Sequence, residues 1–302
     1  MKESIKGEKL MEAQITAEDR INRILEAIND SEISSIKSVV GGIIQLINDP
    51  NSTVQDLEEI IRIDPPLTAK LLRVANSPFY APNSPIDSIS KAVVWVGYNT
   101  VRELALRQKA CELFDKEEVI VGYRRSEIWS YSVATAHFAK MIYRREYGLK
   151  GDDVYSAGLL HKIGFIAEEQ FIKKAFTKVL EIAQARNAPV NVIEQSVFGF
   201  DHTKMGLAIA RNWGLPEEIS NAIGFHLNPF EVDEKWFRIS ATLYVAAVQC
   251  HFAQIGYSAA TPFDDDVYQH CLQSLNLDQE SLNMIIQEGQ LEIAEMLEKG
   301  AL

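Results

Sequence analysis

Residues 46–80 read LINDPNSTVQDLEEIIRIDPPLTAKLLRVANSPFY, and their punctuation marks two short helices set back to back. Ser52 with Gln55 opens the first, which carries Leu57, Ile60 and Ile61 at helical spacing. Asp64 caps the second, with Pro65 in the first helical position, where a missing N–H costs nothing. This second segment is expected to stop at Pro78. The following APNSP, residues 81–85, has the Pro and Asn content of a turn rather than of a linker between domains.

The same pattern extends in both directions. Upstream, Thr16 and Asp19 form a capping box, and Ile21, Ile24, Leu25 and Ile28 recur at i, i+3, i+4 and i+7, so a first helix should run to Asn29–Asp30. A further apolar run, Val39 to Ile47, closes at Asn48-Asp49-Pro50. Downstream, helical periods span Ile89 to Val96 and Val101 to Leu113, with Gly97 as a left-handed cap between them. Helix, glycine turn, helix is also the outline of a DNA reader, but the second helix offers Arg102 and Arg107 and no wider basic surface, so a hairpin within a bundle is the preferred reading. Residues 115–124 turn polar and mark the best boundary between an N-terminal and a C-terminal lobe. Beyond them the pattern gives a helix from Ser126 to Glu146, a short one through DDVYSAGLLHKIG, then Glu169 to Arg186 and Val190 toward Phe198. Helices 203–213 and 217–226 should meet at the Gly214-Leu215-Pro216 corner, and a last helix starts near Asp278. No fixed-period repeat, alternating strand pattern, Asn-Gly or Asp-Gly is present. The fold class is all-α, divided as an N-terminal extension helix (1–30), an N-terminal helical lobe (31–120) and a C-terminal lobe (121–302).

Composition narrows the function classes. The 302 residues include 42 acidic and 30 basic side chains, a formal charge of −12 with a pI near 5.1. Such a chain repels phosphate backbones and anionic bilayers at long range, which argues against nucleic-acid and membrane partners. Cys111, Cys250 and Cys271 are scattered and odd in number, the usage of reduced thiols in a cytoplasmic protein. The opening MKESIKGEKLMEAQ has no apolar export region. Residues 239–263 lack charged side chains and are long enough to span a bilayer, yet they contain two Gln, a His and several Ser and Thr. They read as a buried helix running into a polar loop.

Candidate chemistry centres on histidine. His161, His202 and His226 each fall near a helix end in the C-terminal lobe, and three helices of one bundle can aim three imidazoles at one point suited to zinc, iron, nickel or copper. Any one alone reads as a helix-end ring bonded to a carbonyl. His137, His251 and His270 have no comparable context. Cys111 and Cys250 lie on apolar faces as inert thiols, and His251, adjacent to Cys250, points about 100° away from it. There is no GxSxG, Walker loop or GxGxxG. Arg124-Arg125, Arg144-Arg145 and Lys173-Lys174 read as solvated helix faces. Trp95, Trp129, Trp213 and Trp236 read as core, and any of them found exposed becomes an interface candidate.

Taken together these segments carry a resemblance. Residues 46–80 and IDSISKAVVWVGYNTVRELAL (86–106), followed by EIWSYSVATAHFAK (127–140), AGLLHKIG (157–164) and FDHTKMGLAIARNWGLPEEISNAIGFH (200–226), resemble the bacterial HD-related output domain (HDOD) family. The resemblance covers nearly the whole chain from about Ile33, and it implies a C-terminal lobe similar to the HD phosphohydrolase bundle. Those enzymes hold a divalent metal through a His, a His-Asp doublet and a later Asp, and the metal activates water for attack on a phosphoester. Here Tyr131 stands at the first His, Lys162 replaces the Asp after His161, and Ala246 or Ala247 fills the final Asp position; His202 and His226 match later histidines. A unit cation 4 Å from a divalent ion costs about 8 kcal/mol at an effective dielectric of 20.

The resemblance therefore implies a non-catalytic signal-transduction module that recognises unidentified signalling proteins, with no cofactor and a vestigial pocket of Tyr131, His161, Lys162, His202, His226 and Ala247. Two alternatives stay open. One is a degenerate phosphohydrolase in which His161, His202 and His226 keep a transition metal, and the other is an anion such as a nucleotide phosphate held by Lys162 and nearby arginines. The roughly 30 residues ahead of the first matched segment are too few for a sensory domain, so the chain is expected to act as a stand-alone partner.

Overall fold

The computed structural model describes residues 16–115, 118–256 and 263–300. Helix α1, Ala17–Asn29, starts with a reciprocal box: the Thr16 hydroxyl accepts from the Asp19 amide at 3.1 Å and Asp19 accepts from the Thr16 amide at 3.0 Å. Such a cap contributes about 1 kcal/mol. After α2, Ile33–Asn48, helix α3 spans Val54–Arg62 and begins one residue later than the sequence suggested. Its cap is Thr53, not Ser52, because the Asp56 carboxylate accepts from the Thr53 amide at 2.8 Å and is a stronger acceptor than the neutral Gln55 amide. Ser52 instead donates to the Leu46 carbonyl at 2.9 Å. This register leaves Leu57 and Ile61 fully buried, each contributing about 1.5–3 kcal/mol, and Ile60 half-buried.

Helix α4, Pro65–Ala75, is capped by Asp64, which accepts from the Leu67 amide at 3.0 Å. It ends before Pro78 because Asn76 intervenes. The Asn76 side chain exchanges two 2.8 Å bonds with the Ile86 backbone, and this clamp closes the 77–85 loop. Helices α5, Ile89–Val96, and α6, Tyr98–Cys111, form the expected hairpin, but Gly97 at φ +98° makes the whole bend, so α6 begins at Tyr98 rather than Val101. A 3-10 turn, Glu112–Phe114, follows. Arg102 and Arg107, the bases that a DNA reader would present, are only 5% and 7% exposed; Arg102 donates to Asp152 and to the Leu46 carbonyl, both at 3.1 Å.

The polar stretch holds a surprise for a sequence read as purely helical. Val119–Ile120 (β1) and Tyr123–Arg124 (β2) pair antiparallel through Val121 and Gly122, both at positive φ. A tight hairpin of this kind is normally announced by Asn-Gly or Asp-Gly, and valine is among the residues least suited to positive φ, which is why the signal was absent. The fully buried Tyr123 ring pins the hairpin edge-on against Phe165 and Phe176.

The remaining helices are α7 (Arg125–Tyr147), α8 (Asp152–Leu160), α9 (Ile163–Phe171), α10 (Lys173–Arg186), α11 (Val190–Phe198), α12 (His202–Asn212), α13 (Glu217–Phe225), α14 (Glu234–Phe252), α15 (Asp265–Leu275) and α16 (Gln279–Glu298). Two boundaries differ from expectation. The segment through DDVYSAGLLHKIG breaks after Leu160, and the helix expected from Glu169 is interrupted at Ile172. The Arg124-Arg125 pair also splits. Arg124 is solvated, while Arg125 is 3% exposed and donates from Nε to Glu169 at 2.7 Å and from Nη1 to the Leu113 carbonyl at 2.9 Å.

Helix α7 is the axis on which α8, α14 and α16 pack, and α1 lies against α9 and α12. The apolar core is continuous from α1 to α16. The uncharged stretch from residue 239 lies largely in α14, which is buried from Ile239 to Cys250, and no helix among the described residues is long and apolar enough to cross a membrane. The loop portion at 257–262 and residues 1–15 of the expected N-terminal extension lie outside the described residues.

Candidate functional site

Two glycines position the histidine cluster. Gly158 of α8 lies so close to Ala136 of α7 that no Cβ fits, and at Gly164 of α9 a Cβ would overlap the His202 carbonyl oxygen of α12. These close crossings bracket the corner between α8 and α9, which is the dipeptide His161-Lys162. His202 opens α12 and His226 closes α13, so two helix ends and one corner meet. Lys162, His161, His202 and His226 are all fully buried.

Lys162 Nζ stands at the centre. It lies 3.2 Å from His202 Nε2 and 3.3 Å from His226 Nε2, and 5.8 Å from the centroid of the Tyr131 ring. The tautomers follow from the partners on the other side of each ring. His226 Nδ1 is 2.8 Å from the Ile223 carbonyl and His202 Nδ1 is 2.7 Å from Glu194 Oε2, so both Nδ1 atoms donate, and both Nε2 lone pairs face the lysine and accept from it. Glu194 also accepts from the His202 amide at 3.0 Å. His161 donates from Nδ1 to the Gly158 carbonyl at 2.6 Å and packs edge-on against His226. Its Nε2 is buried and unbonded among the described residues.

Electrostatics sort these groups into charged and neutral members. Burial lowers Lys162 to about 8, with Glu194 and Asp201 pulling it back up, so the ammonium persists at neutral pH. His161 is held well below the ordinary imidazole range by burial and then by the Lys162 charge, and the same two causes act on His226, so both stay neutral. Burial, followed by the charge of Glu194, raises Glu168 of α9 well above the carboxylate range, and it keeps its proton. The cluster is a buried chain of contacts from Lys162 through the His202 ring to Glu194.

The two remaining positions of the expected pocket bond to each other. The Tyr131 hydroxyl donates to the Ala247 carbonyl at 3.2 Å, tying α7 to α14 where the sequence comparison placed a His and an Asp. Tyr131, His161, Lys162, His202 and His226 are thus brought together, and Ala247 joins through its backbone. The sequence reading missed Glu194 and Glu168. Both carry a signal in retrospect: each is a carboxylate on the apolar face of its helix, Glu194 beside Ile193 and Phe198 and Glu168 beside Phe165 and Ala167.

A divalent ion does not fit these residues. Lys162 occupies the two inward lone pairs, Glu194 is engaged at His202 Nδ1, Glu168 is neutral, and the described residues hold no group of three or more metal-ligating side chains. The arginines expected near Lys162 lie elsewhere, Arg125 on Glu169 and Arg144-Arg145 at the far end of α7. Cys250 and Cys271 are buried thiols, each pushed up to about 12 by burial. Cys111 is only partly buried, and its pKa is raised as well. Trp213 is buried and Trp129 and Trp236 partly so, but Trp95 is 44% exposed.

A helical bundle with inward-facing histidines at its helix ends belongs to the HD-like class of folds, and comparison with known proteins narrows the class. The chain belongs to the HDOD domain family, whose model matches residues 33–229. A solved HDOD domain protein of unknown function from Geobacter sulfurreducens is 27% identical, with 87% of this chain and 91% of that one aligned at a TM-score of 0.73. A protein from Marinobacter aquaeolei VT8 described as a candidate signal transduction protein is 25% identical over 86% of this chain and 59% of its own, with a TM-score of 0.65. A candidate phosphohydrolase from Shewanella amazonensis SB2B, 22% identical over 87% of this chain and 91% of its own, also scores 0.65, a likeness that speaks to the fold alone. An uncharacterised protein of Treponema pallidum is 27% identical over 234 residues, 76% of this chain and 44% of that one, so the chain spans less than half the length of this curated relative.

Proposed function

We propose that this chain is a regulatory HDOD module that recognises a signalling protein in the cytoplasm and hydrolyses no phosphoester. Lys162 carries the reading. HD-type hydrolysis needs a divalent ion to generate the nucleophile, and the buried ammonium bonds to the two imidazole nitrogens that would face such an ion. The full burial of every imidazole in the cluster supports it further, since a substrate phosphate has no exposed side chain there to meet.

The partner surface that fits best is the outer face of α5. Val94 is 88% exposed beside Trp95, whose indole N–H donates to the Tyr80 carbonyl at 2.9 Å, and the two flank a groove of about 290 Å³ edged by Pro82 and Pro85. A partly exposed tryptophan fixed by one hydrogen bond is the chemistry of an interface anchor. Nucleic acid is an ill-suited partner, given the net charge of −12 and the burial of Arg102 and Arg107.

The deciding experiment is elemental analysis of protein purified without chelator, together with turnover assays on a generic phosphodiester and on nucleoside phosphates. The expected result is no stoichiometric metal and no turnover. Stoichiometric metal with turnover lost in His202→Ala refutes the proposal. That outcome would favour the second reading, a degenerate phosphohydrolase using His161, His202 and His226, for which the unbonded His161 Nε2 is the supporting observation.

A further inference from the structure

A cleft of about 490 Å³ opens between α6 on one side and α7 and α16 on the other, well apart from the histidine cluster. Its volume lies in the range of small-molecule sites. Three successive turns of α7 supply one wall, because His137, Lys140 and Arg144 follow at spacings of three and four and share a face. The chain carries a formal charge of −12, yet this cleft is lined by four bases, Arg107, Lys140, Arg144 and Arg145, against two acids, Glu103 and Glu292.

The acids are already engaged. Glu103 pairs with Lys140, and Glu292 lies 2.9 Å from His137 Nε2. The two arginines at the rim are exposed. Arg145 pairs with Glu288 on the surface of α16, while Arg144 makes a 3.4 Å bond from Nε to the Lys150 carbonyl and forms no salt bridge among the described residues, its charge acting on Glu292 from a distance. A guanidinium fork with spare donors, as on Arg144, matches the geometry and charge of a phosphate group.

The inner half of the cleft has a different character. Tyr155 forms part of it, Tyr80 joins with its ring edge-on to Phe79 at 4.9 Å, and Leu104, Met141 and Met296 complete an apolar surface. Aromatic rings and polarisable thioethers accommodate a flat aromatic body. We propose that the cleft between α6, α7 and α16 binds a small phosphorylated ligand with an aromatic body, of the nucleotide class, with its phosphate at Arg144 and Arg145 and its ring against Tyr80, Tyr155 and the methionines. The cleft joins α6, which precedes the 119–124 hairpin, to α7 and α16, which follow it, so an occupant would brace the two parts together.

This inference stands apart from the reading of Lys162, and its test is separate. Anisotropy of a fluorescent N-methylanthraniloyl nucleoside triphosphate is titrated with the full chain, followed by displacement with unlabelled ATP, GTP and inorganic pyrophosphate. Saturable binding below millimolar concentration is expected, weakened at least tenfold by Arg144→Gln combined with Arg145→Gln. Because both side chains are exposed, that variant keeps the fold, which its melting curve checks. Arg211→Gln, an exposed base on α12, should leave binding unchanged. The proposal is overturned by no saturable signal, by equal binding in the double variant, or by equal weakening in Arg211→Gln. Pyrophosphate displacing the probe as well as the nucleotides do overturns the aromatic half of the site.

Discussion

Lys162→Met keeps the length and apolar body of the side chain while deleting its charge and its donors, and this isolates the central ion. In the folded chain burial lowers Lys162 from 10.5 to about 8. The proton is therefore held more weakly in the folded than in the unfolded state, unfolding takes up protons between those values, and stability rises with pH through the window from 8 to 10.5. The full effect is about 3.4 kcal/mol at 1.36 kcal/mol per unit, of which about 2.5 kcal/mol is recovered between pH 7 and pH 10. At pH 7 the variant gains relief from the desolvated charge but orphans two imidazole acceptors at about 1–3 kcal/mol each, so the two proteins differ little there and the slope is what discriminates. Tyrosines, thiols and other lysines titrate in both and cancel in the difference.

The assay is urea unfolding followed by circular dichroism at fixed ionic strength from pH 7 to pH 10. The stability of the wild type minus that of Lys162→Met should rise by about 2.5 kcal/mol, a relative shift in midpoint of about 0.8 M for a urea slope of about 3 kcal/mol per molar. A flat or falling difference would show that the ammonium is not the buried, imidazole-bound cation described above.

Further outcomes follow from individual contacts. Arg125→Met leaves Glu169 buried without its cation and should cost about 3–5 kcal/mol in urea unfolding, part of which returns when Glu169→Gln is added. Gly164→Ala drives a methyl group into the backbone of α12, which cannot yield as a side chain would; a loss of at least about 1–3 kcal/mol is expected, read as a lower melting temperature. Lys162→Asp reverses the sign of the central charge beside His202 and His226. Its melting temperature should rise with added Mn²⁺, by the equivalent of about 2.7 kcal/mol at a hundredfold excess over the dissociation constant, while that of the wild type should not respond.

Much of this was legible in the sequence because helix ends are written in local chemistry. Thr16 with Asp19, Asp64 with Pro65 and Asp278 each cap a helix through contacts within three residues, so no knowledge of the rest of the chain is needed. Errors arose where distant residues decide. The end of α4 depends on Asn76 reaching Ile86, the hairpin at 119–124 depends on Tyr123 entering a ring cluster, and Arg125 is buried because Glu169 waits 44 residues away. The site divides the same way. His161, Lys162, His202 and His226 were identifiable from their motifs, but Lys162 was expected as a cation that repels a metal. In the folded chain it is held between two imidazoles, a role that only the convergence of α9, α12 and α13 creates.

On the proposed reading of these positions as a vestigial pocket, the charge balance of that convergence explains why the departures from the metal-binding pattern occur as a set. A bundle that binds a divalent ion through two aspartates has a site close to neutral, so dropping the ion alone would leave two buried carboxylates facing each other at high cost. On that reading, Lys162 for one aspartate and Ala247 for the other remove both negative charges with the ion, and Lys162 bonds to His202, whose Nδ1 donates to Glu194. The donors follow the same logic, since Lys162 satisfies the Nε2 atoms of His202 and His226 and the Tyr131 hydroxyl takes the Ala247 carbonyl. By the same reasoning the histidines persist for a structural cause: each spans from a backbone carbonyl or a carboxylate on one side toward the cluster on the other, and they close the ends of α8 and α13 and the start of α12 at a single buried point.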